Sequence, residues 1–454
     1  MIDRLLFSCI RCMAWISKFA RPLSRLGAGE YDEWKAGEKL KLLLVGYNGA
    51  GNTGSDVRTV AIARQVNGLF GKDAVRMTVM TLDADSLEGC FDENVTLLPF
   101  SSIFPLDLFR ACSAHHAAIL CEGSALKSGF ANALTLFLCE AAGVMSAQGK
   151  PCIAYGVEAG YMEPFLERAA AGLCRDAYFI ARTDESLARL KKLGLRGHTG
   201  TDAAWNYDKA IGPDEADFLL RKQGWDGEKP LLGVAVINPF YWPVRPSLWR
   251  WAKGIAGGDL SAQYDKWYFF SDSPARRNAF RQYIEEVAAG VRSFMRQYDY
   301  FPVLIGMERL DKSAVRALAG KLNCPKAAFL SGERPAQAIT GILRRLSMLV
   351  TSRYHAAVLS MDTGCPIVAV SMDERLDGLM RELSLNGKYL LRVEDGNLGV
   401  KIVAALSEAY AEQDAISAHM RRHAANCREK LDTMGEFMKR YLLDALRQGE
   451  GGLS

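Results

Sequence analysis

No stretch of about 20 uninterrupted apolar residues occurs in this 454-residue chain, so a membrane-spanning helix is not expected. Near the N-terminus, Arg11 and Lys18 break the apolar residues, leaving no continuous core of the kind a secretory signal requires. Metal-binding cysteine pairs are missing as well. Cys9 and Cys12 stand three apart, but no second pair or histidine cluster completes a zinc site, and no metal is expected. The other cysteines, Cys90, Cys112, Cys121, Cys139, Cys152, Cys174, Cys324, Cys365 and Cys427, are scattered. An odd number of thiols with apolar neighbours suits buried cysteines in a reducing cytosol, so a cytoplasmic location is expected. A broad excess of one charge is also absent. The net charge is +4, and residues 1–25 supply all of it through Arg4, Arg11, Lys18, Arg21 and Arg25 against Asp3. The balanced remainder argues against a nucleic-acid-binding protein with a wide basic face. Low-complexity segments and short-period repeats are not found, and the composition, 49% hydrophobic with 24% charged, is that of a globular chain.

The length exceeds what one ordinary core organises, so two domains are expected. Residues 1–25 read as an amphipathic basic helix ending near Pro22. Ile2, Leu5, Leu6, Cys9, Met13 and Ile16 fall on one face, and Arg4, Arg11 and Lys18 on the other. Two readings stay open: residues 2–21 lie on an anionic membrane surface, making the protein peripheral, or the helix packs on the protein's own body. From residue 40 to 210, buried apolar strands such as Leu42–Val45, Ala117–Leu120 and Tyr178–Ala181 alternate with helices. That alternation predicts a parallel sheet covered on both faces. The pattern loosens over 211–229, read as a linker, and resumes over 230–400 from the strand Leu231–Ile237. Residues 401–447 read as C-terminal helices. The expected fold is α/β, with two tandem Rossmann-like domains facing a cleft, the arrangement called GT-B.

Four turns can carry chemistry. The glycine-rich segment Gly46–Asp56 follows a strand and opens a helix, so its N–H groups can hold an anion; Asn48, Asn52 and Asp56 favour a polar ligand over a merely tight turn. Gly49, Gly51 and Gly54 match the dinucleotide spacing. The next strand's acids, Asp83 and Asp85, come late for a ribose contact, so an NAD-dependent oxidoreductase ranks last. Glu122-Gly123-Ser124 follows another strand at a sheet end where ligands bind, but taken alone it reads as an ordinary loop. Arg182, before the helix cap Thr183, either faces the cleft or pairs locally with Asp184 or Asp202. The fourth turn, Ser352-Arg353-Tyr354-His355, is the strongest. Arg353 suits bidentate binding of phosphate or carboxylate, and His355 sits in a helix's first turn, where the dipole favours anions and a neutral imidazole. The aromatic stretch Pro239–Trp251 can stack on sugars, plug the domain interface or meet a membrane.

Together these segments, over residues 42–385, resemble the polysaccharide pyruvyl transferase family. The likeness lies in Gly46–Asp56, in Glu122-Gly123-Ser124, in Arg182–Ser186 with Asp202-Ala203-Ala204, and above all in Ser352–Ala356, Gly364-Cys365-Pro366 and Ser371–Arg375. Glu122 departs from a family glycine, Ser55-Asp56 shifts the acidic pair, and Arg375 replaces a lysine. The resemblance implies a GT-B-like fold and transfer of pyruvyl from phosphoenolpyruvate to two hydroxyls of one sugar, with loss of phosphate. The acceptor would belong to a cell-surface polysaccharide (an exopolysaccharide) or its lipid-linked precursor. No cofactor beyond phosphoenolpyruvate as co-substrate is implied. It assigns the phosphate to Arg353 and His355, the latter also as general acid. Substrate contacts would come from Asn48, Gly49, Gly51, Asn52, Gly54, Asp56, Glu122, Gly123, Ser124, Arg182, Asp202, Ser352, Asp373 and Arg375. A GT-B glycosyltransferase using a nucleotide sugar, with Met307-Glu308 and Asp311 as base and ribose contacts, is the nearest alternative. A non-catalytic saccharide-binding or assembly protein is the next.

Overall fold

Apolar runs that alternate with helices can bury both faces of a strand, and the chain uses them twice. The computed structural model describes residues 2–25, 31–101, 104–255, 263–265, 267–323 and 326–451. Its first sheet is parallel and seven-stranded, formed by β1 (Leu40–Asn48), β2 (Val75–Thr81), β3 (Val95–Pro99), β4 (Ala117–Leu120), β5 (Cys152–Val157), β6 (Tyr178–Ala181) and β7 (Arg196–Thr199), in the order β3-β2-β1-β4-β5-β6-β7. The second domain opens with β8 (Leu231–Ala235). An antiparallel insertion follows: β9 (Arg245–Pro246), β10 (Gln263–Asp265) and β11 (Tyr268–Phe269). The sheet then continues through β12 (Phe301–Gly306), β13 (Ala327–Leu330), β14 (Met348–Thr351), β15 (Ile367–Ser371) and β16 (Leu390–Arg392), ordered β13-β12-β8-β14-β15-β16.

The expected strands β4 and β6 appear with the boundaries read from sequence. Edge strands β3 and β7 escaped the pattern because they are only half-buried, and a half-buried edge carries no continuous apolar run. The segment 211–229 is not a loose linker: it contains the helix Pro213–Lys222. That helix starts with proline at its first position and acids in its first turn, and it buries only Ala216 and Leu220. So polar a helix resembles a linker in composition.

The N-terminal helix Ile2–Ser17 packs on the first domain, mainly against the helix Asn132–Ala147. Its buried line is Asp3, Ile10, Ala14 and Ser17, with Leu6 and Met13 half-buried. The apolar face expected from sequence is thus rotated, and Leu5 and Cys9 from that face are exposed. Cys12 is exposed too, so the expectation of buried thiols fails for this pair, while Cys90, Cys112, Cys121, Cys139, Cys152, Cys174, Cys365 and Cys427 are buried. Cys324 lies outside the described residues. Among the described residues no helix is long and apolar enough to cross a membrane.

The C-terminal helix Gln413–Gly451 returns to the first domain, where the Gln65 side chain donates to Leu431 O (2.7 Å) and Lys439 to Leu69 O (2.6 Å). The two domains also meet at their strand ends. Thr53 N–H donates to Met307 O (2.9 Å), Arg309 N–H donates to Gly51 O (2.8 Å), and Asn52 forms an antiparallel bridge with Glu308. The loop after β1 therefore lies against the loop after β12, at the carboxyl ends of both sheets, where open parallel sheets bind ligands.

Close helix packing in the second domain depends on Gly290. A Cβ there would stand 2.7 Å from Gly399 O and 2.8 Å from Ile402 Cβ, where Pro274–Gln297 crosses Leu398–Ala411. Gly290→Ala is expected to cost ~1–3 kcal/mol in denaturant unfolding. Gly320→Ala, where a Cβ meets nothing within 4 Å, is expected to be neutral or stabilising. Equal effects of the two changes would contradict this packing.

Candidate active site

The glycine-rich turn is held by its own side chains. Asn52 caps the helix Thr53–Phe70, its Oδ1 accepting from Gly54 N–H (3.0 Å) and Ser55 N–H (3.3 Å). Gly49 N–H donates to Asp56 Oδ1 (2.9 Å). Asn48 is buried, taking Thr59 Oγ1 (2.6 Å) and donating to Met80 O (3.0 Å). The Gly49, Thr53, Gly54, Ser55 and Asp56 N–H groups, expected to help hold an anion, are thus engaged internally. Gly49 and Gly51 have φ near +70°, a left-handed conformation that suits glycine. Gly51 also packs against the Arg309 side chain. At Gly54, a Cβ would overlap the His355 imidazole.

Beneath this turn lies a buried charge cluster. Arg58, with no exposure, donates to Cys121 O, Tyr155 O and Gly156 O and pairs with Asp202 (2.6 Å). Arg182 pairs with Asp202 (2.8 Å) and Glu158, its guanidinium 4.4 Å from the Tyr354 ring. This is the local ion pair anticipated for Arg182, with Asp202 as partner. Gly123 sits between the Arg58 and Arg182 guanidiniums, so its missing side chain makes room for both. Burial favours protonation of Asp202, but Arg58, then His355 and Arg182, hold its pKa well below the usual carboxylate value. His355 Nε2 is 3.7 Å from Asp202 Oδ2 and lacks a hydrogen-bond partner. Burial lowers its pKa despite Asp202, so the imidazole is neutral at pH 7.

Arg353 does bind carboxylate bidentately, but the carboxylate is internal. Its Nε and Nη2 engage Asp311 (2.8 Å for Nε), and Nη2 also donates to Glu308 (2.8 Å). Asp311 further accepts from Met307 N–H (3.0 Å) and Glu308 N–H (3.1 Å). The acids expected to take a ribose are therefore occupied by an arginine. Ser352 faces inward to Tyr283 (2.7 Å). Asp373 pairs with Arg375 (2.7 Å), and Lys127 joins Glu158 and Glu374 (both 3.4 Å), linking the domains.

Above the cluster is an interdomain cavity of about 570 Å³. Of the residues singled out from sequence, Gly49, Asn52, Asp83, Glu122, Ser124, Trp242, Glu308, Arg353 and Arg375 line it. Asn48, Gly51, Gly54, Asp56, Gly123, Arg182, Asp202, Ser352, His355 and Asp373 do not; they form its floor and supports. His355 in particular lies behind Gly54 rather than on the wall, contrary to its expected contact with phosphate. Glu122 accepts from Ser55 Oγ (3.1 Å) and Ser124 N–H (3.1 Å), which orients its carboxylate at the wall. One end is rich in rings, with Phe100, Phe104, Phe130, Phe137, Trp242, Tyr264 and Tyr268, and Arg375 reaches it, its guanidinium 4.6 Å from the Phe130 ring. Sequence reasoning missed Arg309, an exposed cavity cation for which no carboxylate partner occurs among the described residues. Its place beside the Glu308–Asp311 turn was the available signal. Among the described residues no group of three or more potential ligands could hold a metal ion.

Two parallel α/β domains with a cavity at their facing strand ends, and helices at both termini, define a GT-B-type fold. Solved structures share it: a putative UDP-N-acetylglucosamine 2-epimerase from Listeria monocytogenes (TM-score 0.51, 10% identity, 84% of this chain and 90% of that one) and Alr3699/HepE of Anabaena in complex with UDP-glucose (0.55, 12%, 88% and 100%). UDP-GlcNAc 2-epimerase from Neisseria meningitidis bound to UDP-GlcNAc is also similar (0.53, 8%, 89% and 100%). At these identities the likeness is one of fold. No curated protein matches in sequence. The chain belongs to the polysaccharide pyruvyl transferase family, whose sequence model matches residues 141–374, just over half of its length.

Asp56 offers a test of this geometry. Burial, reinforced by Glu122 and opposed by the Gly49 N–H, raises its pKa from 3.8 to about 7. Between these values the folded state keeps a proton that the unfolded state has lost, so this group's contribution falls as pH rises to about 7 and stays unfavourable above it. Asp56→Asn should therefore stabilise the fold relative to wild type far more at about pH 8.5 than at about pH 4, by about 4 kcal/mol at most, read as a larger rise in Tm at the higher pH. A pH-independent difference would contradict it.

Proposed function

We infer that the chain transfers the enolpyruvyl group of phosphoenolpyruvate to a saccharide of a cell-surface polysaccharide or its lipid-linked precursor. One sugar hydroxyl oxygen bonds to C2 while the C3 methylene takes a proton and becomes a methyl group. The second hydroxyl closes the ketal as the C2–O bond to phosphate breaks. One hydroxyl proton thus balances C3, and the other leaves with phosphate. The observation that carries this reading is the cavity's lining: Arg309, Arg353 and Arg375 supply cations, and aromatic rings stand beside them, Phe130 lying 4.6 Å from the Arg375 guanidinium. A carboxylate with a phosphate needs cations, and a sugar with an apolar carrier needs rings. Arg309 supplies the cation left without a carboxylate, while Arg353 and Arg375 form the wall behind it. Glu122 on the same wall is placed to handle an acceptor hydroxyl proton. His355 supports Gly54 from below. Residues 2–21 would hold the protein at an anionic membrane carrying the acceptor. The nucleotide-sugar reading is less supported, because Glu308 and Asp311 are committed to Arg353.

Phosphate release from phosphoenolpyruvate, measured with a panel of soluble and lipid-linked saccharides, tests this. Wild type should release phosphate with at least one acceptor, and Arg309→Ala should lose ~10²-fold in kcat/KM. His355→Ala should lose less than about tenfold; a loss of ~10²-fold or more would return the general-acid role to the imidazole. No release with any acceptor, together with binding of a nucleotide sugar, would overturn the reading.

A further inference from the structure

The insertion helix Leu248–Ile255 is built inside out. Its inward contacts come from Arg250, which donates to Phe270 O (3.4 Å) and lies over the buried Phe269 ring (4.8 Å). Its apolar residues face water instead: Trp249 is 72% exposed, Ile255 68%, and Leu248 and Trp251 are exposed too. Lys253 is the other charged residue of this helix, which contains no acid, and its ammonium lies 5.2 Å from the Trp249 ring.

A second patch of the same kind lies on the N-terminal helix. Leu5 and Trp15 are exposed (63% and 59%), and beyond the helix end Phe19 stacks edge-on with Trp15 at 5.2 Å. Arg4, Arg11 and Lys18 are exposed along it. Its one acid, Asp3, is turned inward, accepting from Asn132 Nδ2 (3.0 Å) and Tyr268 Oη (3.1 Å).

Tyr268 brings the patches together. It belongs to β11, pairs with Pro246 at the foot of the insertion helix, holds the first turn of the N-terminal helix and lines the aromatic end of the cavity. Ser247 N–H, donating to Trp267 O (2.7 Å), fixes the same foot. The first turn of the N-terminal helix and the foot of the insertion helix therefore both adjoin the cavity end that the proposed function assigns to the acceptor.

We propose that the insertion helix Leu248–Ile255 and the N-terminal helix form one bipartite docking surface for an anionic lipid bilayer, presenting the aromatic end of the cavity to the membrane. Tryptophan with basic residues, and no exposed acid on either helix, matches the chemistry of an anionic interface. A second copy of the chain fits less well, because an isologous contact would set Arg4, Arg11 and Lys18 against their own counterparts. The docking itself does not depend on pyruvyl transfer. The orientation deepens that reading by making a membrane-borne acceptor the natural substrate.

The test is co-sedimentation of the full chain with vesicles of phosphatidylcholine alone or with about a third phosphatidylglycerol. Binding is expected to the anionic vesicles only, weakened by salt, and reduced at least ~10-fold by Trp249→Glu and by Trp15→Glu. Both positions are exposed, so an unchanged thermal unfolding curve would confirm that the variants fold. Phosphate release with a soluble acceptor should be unaffected by Trp249→Glu, while release with a vesicle-borne acceptor should fall. Absent vesicle binding, or binding unchanged in both variants, would overturn the proposal. So would a concentration-dependent dimer that Trp249→Glu dissolves. Vesicle binding with the expected variant losses, but no phosphate release from any acceptor, would leave the surface standing and remove the reaction.

Discussion

Asp202 is the point on which the floor of the site depends. Its carboxylate has almost no access to water, and Arg58, Arg182 and His355 converge on it from three segments: a helix after β1, the end of β6 and the helix after β14. A carboxylate so deep would be costly alone, and the two guanidiniums would be costly without it. Because His355 comes from the second domain, the same cluster ties that domain to the first. Several glycines follow from this constraint. Gly54 leaves room for the imidazole, Gly123 lies between two guanidiniums, and Gly156, with φ of +64°, passes close to Thr201 O.

The site therefore has two levels. Below, charges are matched within the protein and water is excluded; above, the cavity offers Arg309, Arg353 and Arg375 together with aromatic rings. Arg353 links the levels, since Asp311 and Glu308 keep its guanidinium charged and fixed while one face reaches the cavity. Burial alone would favour loss of its proton; the two carboxylates reverse that and raise its pKa. Fixed cations of this kind cost little reorganisation when an anion arrives.

Much of the fold was legible because β1, β4, β6 and β12 are apolar runs with turn residues at their ends, and burial on both faces demands such runs. The insertion was not, since β9 and β11 are two residues long and its helix exposes its apolar side. Within the site, the unusual residues were visible but their partners were not. Arg353 announced itself as a carboxylate binder, yet nothing local says that Asp311, far back in the chain, supplies the carboxylate. Gly54 looked like a phosphate cradle, whereas its free space holds His355. Arg309 carried no motif, and only three-dimensional pairing separates it from its saturated neighbours.

A crystal structure of the protein with phosphoenolpyruvate tests the two-level account most directly. The expected result is density in the interdomain cavity, with phosphate or carboxylate oxygens on Arg309 and Arg375 and with Arg353 still paired to Asp311. Density beneath Gly54 on His355 and Arg182, with Asp202 displaced, would contradict it.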